Sequence, residues 1–308
     1  MAFTMHSHSG EFCPGHAKDT LEAVVLHAIS TGYRTLGLTE HMPRTELSDL
    51  YPDELLPSPA ASLASLFPRH EAYLAEAQRL QSLYASQIHI LIGFEGEWIR
   101  PGCGPLIQRL AAAPCVDYFI GSIHHAAGVP IDYDAATYRV ARDVCGGSDE
   151  AVFERYYDEQ LEMLVALRPK VVGHFDLIRL MSDDPGAEAK AVGNGVWERV
   201  VRNLAEVVGY GGWLECNTSA LRKGLAEPYP GRAIAEEFLK MGGKFTFSDD
   251  SHGTAQVATN YARGLDYLES LGVTELWTLE RVVVDDGKAT LVEKSVTFDE
   301  FRRTLKTP

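Results

Sequence analysis

His6 and His8 stand one residue apart in the opening stretch MHSHSGEFCPGH (residues 5–16), and His16 closes it. On an extended strand, positions i and i+2 face the same side. The two imidazoles then project together, as two ligands of one cation must. Neutral imidazole is a common ligand for zinc, iron and related metals. A lone His-x-His pair weighs little by itself, because a solvated surface run reads the same way. The rest of the chain has to decide.

Further ligand types recur where apolar runs stop. Glu40-His41 ends one run, Glu95 lies near the end of another, and Ser122-Ile123-His124-His125 ends a third. Gly173-His174-Phe175-Asp176 and Ser248-Asp249-Asp250-Ser251-His252 end two more. Seven of the eleven histidines (6, 8, 16, 41, 124, 174 and 252) fall at such ends or in the opening loop. His27, His70 and His89 lie in helices or at element starts and read as structural or solvated. His125 reads the same way, with substrate contact as its second reading. Seven imidazoles with Glu95 and Asp250 make coincidence a poor explanation. The mixed nitrogen and oxygen set suits zinc, iron or manganese.

The elements that must position these groups alternate. Strands are predicted over 34–41, 88–97, 117–125, 170–176, 212–219 and 244–252, as short apolar runs of the kind buried on both faces of a parallel sheet. Helices are predicted between them. Asp19 is read as the N-cap of the first, with Glu22 three residues on and Gly32 as its stop. Others are predicted over 69–83, 149–167, 197–208, 232–241 and 261–271, with Gly242 and Gly272 as C-caps. Such alternation predicts an α/β barrel or a doubly wound sheet. Active sites of α/β barrels lie at the C-terminal ends of the strands, where the ligand types cluster. Residues 43–68 hold five prolines and read as a long loop, as do residues 126–148. Each is a lid or a surface excursion.

Composition limits the function classes. The chain has 308 residues, 45% hydrophobic and 23% charged, and a formal net charge of −15. This balance fits an ordinary globular protein and speaks against a nucleic-acid partner, which usually requires a basic surface. Bound divalent cations reverse the sign locally, so a phosphate ester stays admissible. No apolar run is long enough to span a membrane, and no secretory pattern opens the chain. Five scattered cysteines without C-x-x-C spacing predict reduced thiols and a cytoplasmic protein.

These motifs resemble the polymerase and histidinol phosphatase (PHP) superfamily of metal-dependent phosphoesterases. The resemblance runs from His6 to His252 through His-x-His, His16, Thr39-Glu40-His41, Gly93-x-Glu95, Ser122-Ile123-His124, Gly173-His174 and Asp250-x-His252. It implies a distorted (β/α)7 barrel spanning residues 1–308 as one catalytic domain, with insertions near 43–68 and 126–148. It also implies three divalent metal ions, with zinc preferred and iron or manganese as alternatives. By position, His6, His8, Glu95 and Asp250 hold the first ion. Glu95 bridges to the second, completed by His124 and His174. His16, His41 and His252 hold the third. A carboxylate has two oxygens and can bridge, whereas an imidazole cannot. The single-residue gap to His252 favours Asp250 over Asp249 as the ligand.

Within the superfamily, HSHSGEFCPGHA, GSIHHAAGVPIDYD, GHFDLIR and ECNTSALRKG are similar to blocks of the monofunctional histidinol-phosphate phosphatases. That likeness implies hydrolysis of L-histidinol phosphate, a step of histidine biosynthesis, by a metal-activated hydroxide. Arg179 and Arg222 are the expected phosphate contacts, since a guanidinium fork matches phosphate geometry. Asn217 and Ser219 are expected to position substrate. Glu11, Asp132 and Asp134 are candidates for the substrate's ammonium and imidazole. Asp176 is expected to orient His174 or a water molecule. The oligomeric state stays open.

Three rivals remain. One is a PHP phosphoesterase acting on another small ester or a nucleotide. Another is a non-catalytic metal-binding module, although no ligand position is lost. The third is an amidohydrolase-type barrel, which usually needs a strand-end lysine where this chain has Glu95.

Overall fold

The structure is a computed structural model and describes residues 1–283 and 289–306. The first half runs β1 (Ala2–Thr4), β2 (Ser7–His8), α1 (Leu21–Thr31), β3 (Tyr33–Leu38), α2 (Pro59–Leu83), β4 (His89–Glu97), α3 (Gly104–Ala111) and β5 (Tyr118–Ser122). A short hairpin of β6 (His125–Ala126) and β7 (Val129–Pro130) follows, then α4 (Ala135–Val144), α5 (Asp149–Leu167) and β8 (Val171–Val172). The rest is α6 (Ala189–Val192), α7 (Asn194–Tyr210), β9 (Trp213–Asn217), α8 (Ser219–Arg222), α9 (Arg232–Lys240), β10 (Lys244–Ser248), β11 (Ser251–His252), α10 (Tyr261–Ser270), β12 (Glu275–Val283), β13 (Ala289–Thr297) and α11 (Phe298–Thr304).

Seven parallel strands form one sheet in the order β1-β3-β4-β5-β8-β9-β10. Met5 N donates to Phe247 O at 3.2 Å and draws β1 towards β10, so the sheet curls into a nearly closed (β/α)7 barrel. Every residue of β9 is buried, as the continuous apolar runs require of strands covered on both faces. All six predicted strands are present, trimmed by a few residues. The ligand-bearing positions lie at or just past their C-terminal ends, the expected face of such a barrel.

Several local expectations need correction. Thr20, not Asp19, caps α1, its hydroxyl accepting from Ala23 N at 3.2 Å. Asp19 instead accepts from Thr254 N and Oγ1, each at 2.8 Å, fastening the chain beside β11. Residues 43–68 are not all loop, because α2 begins at Pro59. Pro59 sits in the first turn, where proline is tolerated, and Pro68 is carried inside the helix. The buried face Leu66, His70, Tyr73, Ala77 and Leu80 repeats with helical spacing across Pro68. Residues 126–148 likewise hold the rest of a hairpin and α4, which Asp134 caps by accepting from Thr137 N at 2.7 Å. Gly242 and Gly272 do follow their helices, in left-handed backbone.

The β12–β13 hairpin had no counterpart in the sequence reading. It lies under the N-terminal end of the barrel, opposite the ligand-bearing face. Lys170, just before β8, sits 4.5 Å from the Trp213 ring, and Lys244 on β10 sits 3.5 Å from Trp277. Both lysines pair with Glu293 of the hairpin.

Candidate metal centre

β2 pairs in parallel with β11, and the register sets His8 beside His252. Their rings lie 4.4 Å apart. The chain thus joins its first histidine pair to its last across the mouth of the barrel. His41 and Glu95 form a second bridge, with Glu95 N donating to Glu40 O at 3.0 Å. His174 arrives because Gly173 lets two strands approach closely: a Cβ there would stand 2.3 Å from Ser122 Oγ. His174 and Asp250 both adopt positive φ, 30° and 48°, conformations uncommon outside glycine and concentrated at functional sites.

Glu95 is the hub. Its Oε1 lies 2.9 Å from His174 Nε2 and 3.3 Å from His124 Nε2. Its Oε2 lies 3.3 Å from His6 Nε2, 3.6 Å from His8 Nε2 and 3.0 Å from His41 Nδ1. The two oxygens therefore face two different groups of imidazoles. Asp250 Oδ1 stands 3.7 Å from His6 Nε2, 3.5 Å from His8 Nε2 and 3.7 Å from His252 Nδ1. Three overlapping sets hold their donor atoms within 4.8 Å of one another: His6, His8 and Asp250; His6, Glu95 and His174; His8, His41 and His252. His16 is exposed at the rim, its ring 4.6 Å from that of His252.

These residues fit bound cations. His6 Nε2, both ring nitrogens of His8, His124 Nδ1, His174 Nδ1 and His252 Nε2 are buried without a hydrogen-bond partner. Each such atom costs about 1–3 kcal/mol of lost hydration if nothing binds it. A shared cation satisfies several at once. The electrostatics agree. Burial opposes the charge on Glu95, yet His6, His124, His174 and His41 outweigh it and hold the carboxyl well below its usual range. Burial, with His41 and His6 nearby, pushes His8 down to about 3, leaving it a neutral donor.

Asp249 faces away from this cluster. Its carboxylate accepts from Thr4 Oγ1 at 3.3 Å, Tyr33 OH at 2.7 Å, Ser251 N at 3.2 Å and Ala258 N at 2.6 Å, wholly buried.

A cavity of about 460 Å³ opens over the cluster, and His16, His41, Glu95, His124, His174, Asp250 and His252 line it. Arg222 and Asp132 line it too. Arg222 also donates to Asp249 O and Asp250 O, each at 3.0 Å, bracing the turn that presents Asp250.

Other expected substrate contacts are placed elsewhere. Arg179 is 7% exposed and turned inward. It donates to Asp176 Oδ2 at 2.9 Å and to the carbonyls of Pro185, Glu227 and Pro228 at 3.2, 3.1 and 2.9 Å. Asp176, held by Arg179 and Gly231 N, does not meet the His174 ring. Asn217 and Ser219 lie below the cavity floor and donate to Asp250 Oδ2 at 3.2 and 3.3 Å. Glu11 accepts from Leu21 N at 2.9 Å and so supports the start of α1. His125 is buried behind Tyr51, their rings 5.5 Å apart. Asp134 is spent as a helix cap.

Two buried carboxylates escaped the sequence reading. Glu215 Oε1 lies 2.8 Å from His6 Nδ1 and also meets Ser248 Oγ. Its Oε2 accepts from His174 N at 3.0 Å and from Asn217 at 3.1 Å. Glu97, two residues beyond Glu95 on the same strand face, lies 2.9 Å from His41 Nδ1 and 3.2 Å from Arg44. A period-two walk back from Asn217 or forward from Glu95 reaches both.

The PHP domain family model matches residues 4–219, most of the chain and all but two of the nine residues. The chain belongs to the PHP family. Among PHP relatives, it is 41% identical over 299 residues to the probable histidinol-phosphatase of Schizosaccharomyces pombe, covering 97% of this chain and 95% of that one. It is 32% identical over 291 residues to the histidinol-phosphatase of Saccharomyces cerevisiae, covering 85% and 87%. The histidinol phosphate phosphatase of Lactococcus lactis, solved with zinc, L-histidinol and phosphate, superposes with a TM-score of 0.66 at 18% identity, covering 90% of this chain and 96% of that one. At that identity the likeness establishes the fold, and the PHP barrel is shared.

Proposed function

We infer that this PHP chain is a histidinol-phosphatase, a metal-dependent phosphomonoesterase that hydrolyses L-histidinol phosphate to L-histidinol and inorganic phosphate. The observation that carries the reading is Glu95, whose two oxygens face separate imidazole groups beneath an open cavity. Near-full-length likeness to two histidinol-phosphatases supplies the substrate.

We propose three divalent ions, zinc first among the candidates. His6, His8, Glu95 and Asp250 would hold one, Glu95 with His124 and His174 a second, and His16, His41 and His252 a third. Such ions supply a nucleophile at neutral pH, by lowering the pKa of water from 15.7 to about 7, and neutralise phosphoryl oxygens. The chain's own groups do the rest. Glu215 holds the His6 ring through Nδ1, which leaves Nε2 facing the cluster. Asn217 and Ser219 hold one oxygen of Asp250 and leave the other towards the imidazoles. Arg222 and Lys223 bring positive charge to the cavity wall, where a phosphate would sit. Asp132, in the loop between β7 and α4, offers a carboxylate to the substrate's ammonium. We propose the cytoplasm as its compartment, on five unpaired cysteines.

The test is phosphate release by the purified, metal-loaded enzyme. L-histidinol phosphate should exceed p-nitrophenyl phosphate and nucleoside monophosphates in kcat/KM by at least about a hundredfold, the discrimination that a site built around substrate polar groups provides. Equal rates would return the chain to a PHP phosphoesterase of other specificity.

A further inference from the structure

The cavity extends beyond the metal cluster to a wall that α2 supplies. Leu66, Arg69, His70 and Tyr73 line that wall, with Phe12 from the opening loop. Tyr73 is committed, its hydroxyl lying 2.7 Å from both Leu38 O and Gly93 O. His70 is not committed. It is 6% exposed, and neither ring nitrogen has a hydrogen-bond partner. Its neighbours are the rings of Tyr73 at 6.0 Å and Phe94 at 6.1 Å.

A buried imidazole without a partner is unfavourable, since both nitrogens have given up water for nothing. Neither the protein nor bulk water repairs this, and the residue lines the cavity. Burial holds its pKa down to about 4, so the ring is neutral at physiological pH. A neutral imidazole presents one N–H donor and one bare nitrogen acceptor. The imidazolyl end of L-histidinol phosphate presents the same pair. Torsion χ2 of histidine is broad, so a modest turn brings a ring edge of His70 into the cavity.

Building on the histidinol-phosphatase reading, we propose that His70 recognises the imidazolyl end of the substrate through an imidazole–imidazole hydrogen bond, and so sets specificity from the α2 wall of the cavity. Phe12 and Leu66 line the same cavity and add apolar surface to it. Phosphate and imidazole are then read within one cavity, the first by metals and cations, the second by α2.

The experiment compares wild type with His70→Phe, which keeps an aromatic ring and removes both nitrogens, and with His70→Gln, which keeps a donor and an acceptor. The readout is the ratio of kcat/KM for L-histidinol phosphate to kcat/KM for p-nitrophenyl phosphate, with metal content measured alongside. His70→Phe should lower that ratio at least about tenfold, mainly through KM for histidinol phosphate, and His70→Gln should restore part of it. A ratio within twofold of wild type in His70→Phe overturns the proposal, as does a parallel fall for both esters. Should His70→Phe not fold, His70→Met reads the same ratio under the same criteria. A wild-type enzyme with no preference for histidinol phosphate would instead overturn the activity itself, so the two failures are told apart.

Discussion

Glu215 Oε1 lies 2.8 Å from His6 Nδ1, and both side chains are wholly buried. The contact fixes which nitrogen of His6 points at Glu95 and Asp250. Carboxylates that orient a metal-binding imidazole typically account for 10- to 100-fold in metal affinity. Glu215→Ala is therefore expected to weaken metal binding by about 10- to 100-fold while every proposed ligand remains. Competition against a chelator of known affinity checks this. Unchanged affinity would show that His6 needs no such support.

Glu215 also marks where sequence reasoning stopped. In GWLECNTS the lone glutamate among apolar residues receives no assignment from the sequence. The period-two step from Asn217 is the available signal, and the packing of β9 beside β10, with Glu215 opposite Thr246 and wholly buried, makes its inward position plain. The nine proposed ligand positions were legible because most of them close short apolar runs or sit in the opening loop, and barrel geometry collects strand ends at one face. Asp249 and Asp250 differ by one residue, and spacing alone favoured Asp250. The structure adds the reason for the orientation: Tyr33, Thr4 and Ala258 occupy Asp249. The start of α2 was hidden because prolines signal loops, although Pro59 sits where a helix accepts one.

Glu95→Gln tests the hub. The amide keeps the shape of the carboxylate but loses its charge and one of its two acceptor oxygens. Turnover is expected to fall more than about a hundredfold, a loss of at least about 2.7 kcal/mol of transition-state stabilisation. Metal content per chain should fall with it. Activity within tenfold of wild type, at full metal content, would remove Glu95 from its bridging position.

Metal removal should destabilise the chain as well as silence it. Buried imidazole nitrogens of the cluster, His6 Nε2, His8 Nε2 and His252 Nε2 among them, lack partners when no cation is bound. A cation present at a hundred times its dissociation constant adds about 2.7 kcal/mol to folding stability. Chelation should then lower Tm by about 5 °C or more, and zinc should restore it. Differential scanning fluorimetry with and without chelator reads this directly. An unchanged Tm would mean that no cation occupies the cluster in the purified protein.

The two arginines should separate cleanly. Arg222 lines the cavity and braces the Asp250 turn, whereas Arg179 spends its donors on Asp176 and three backbone carbonyls. Arg179→Ala leaves Asp176 buried without its cation, a change worth about 3 kcal/mol or more of stability. Its effect should appear in denaturant unfolding, with kcat/KM of the folded fraction within about threefold of wild type. Arg222→Ala should do the reverse: unfolding shifts by about 1 kcal/mol, the scale of its neutral hydrogen bonds, while KM for the phosphate ester rises about tenfold or more as a cation leaves the cavity wall. A catalytic collapse in Arg179→Ala at unchanged stability would mean that Arg179 swings into the cavity when substrate binds. In that case Asp176 is its resting partner, and the two side chains part during each turnover.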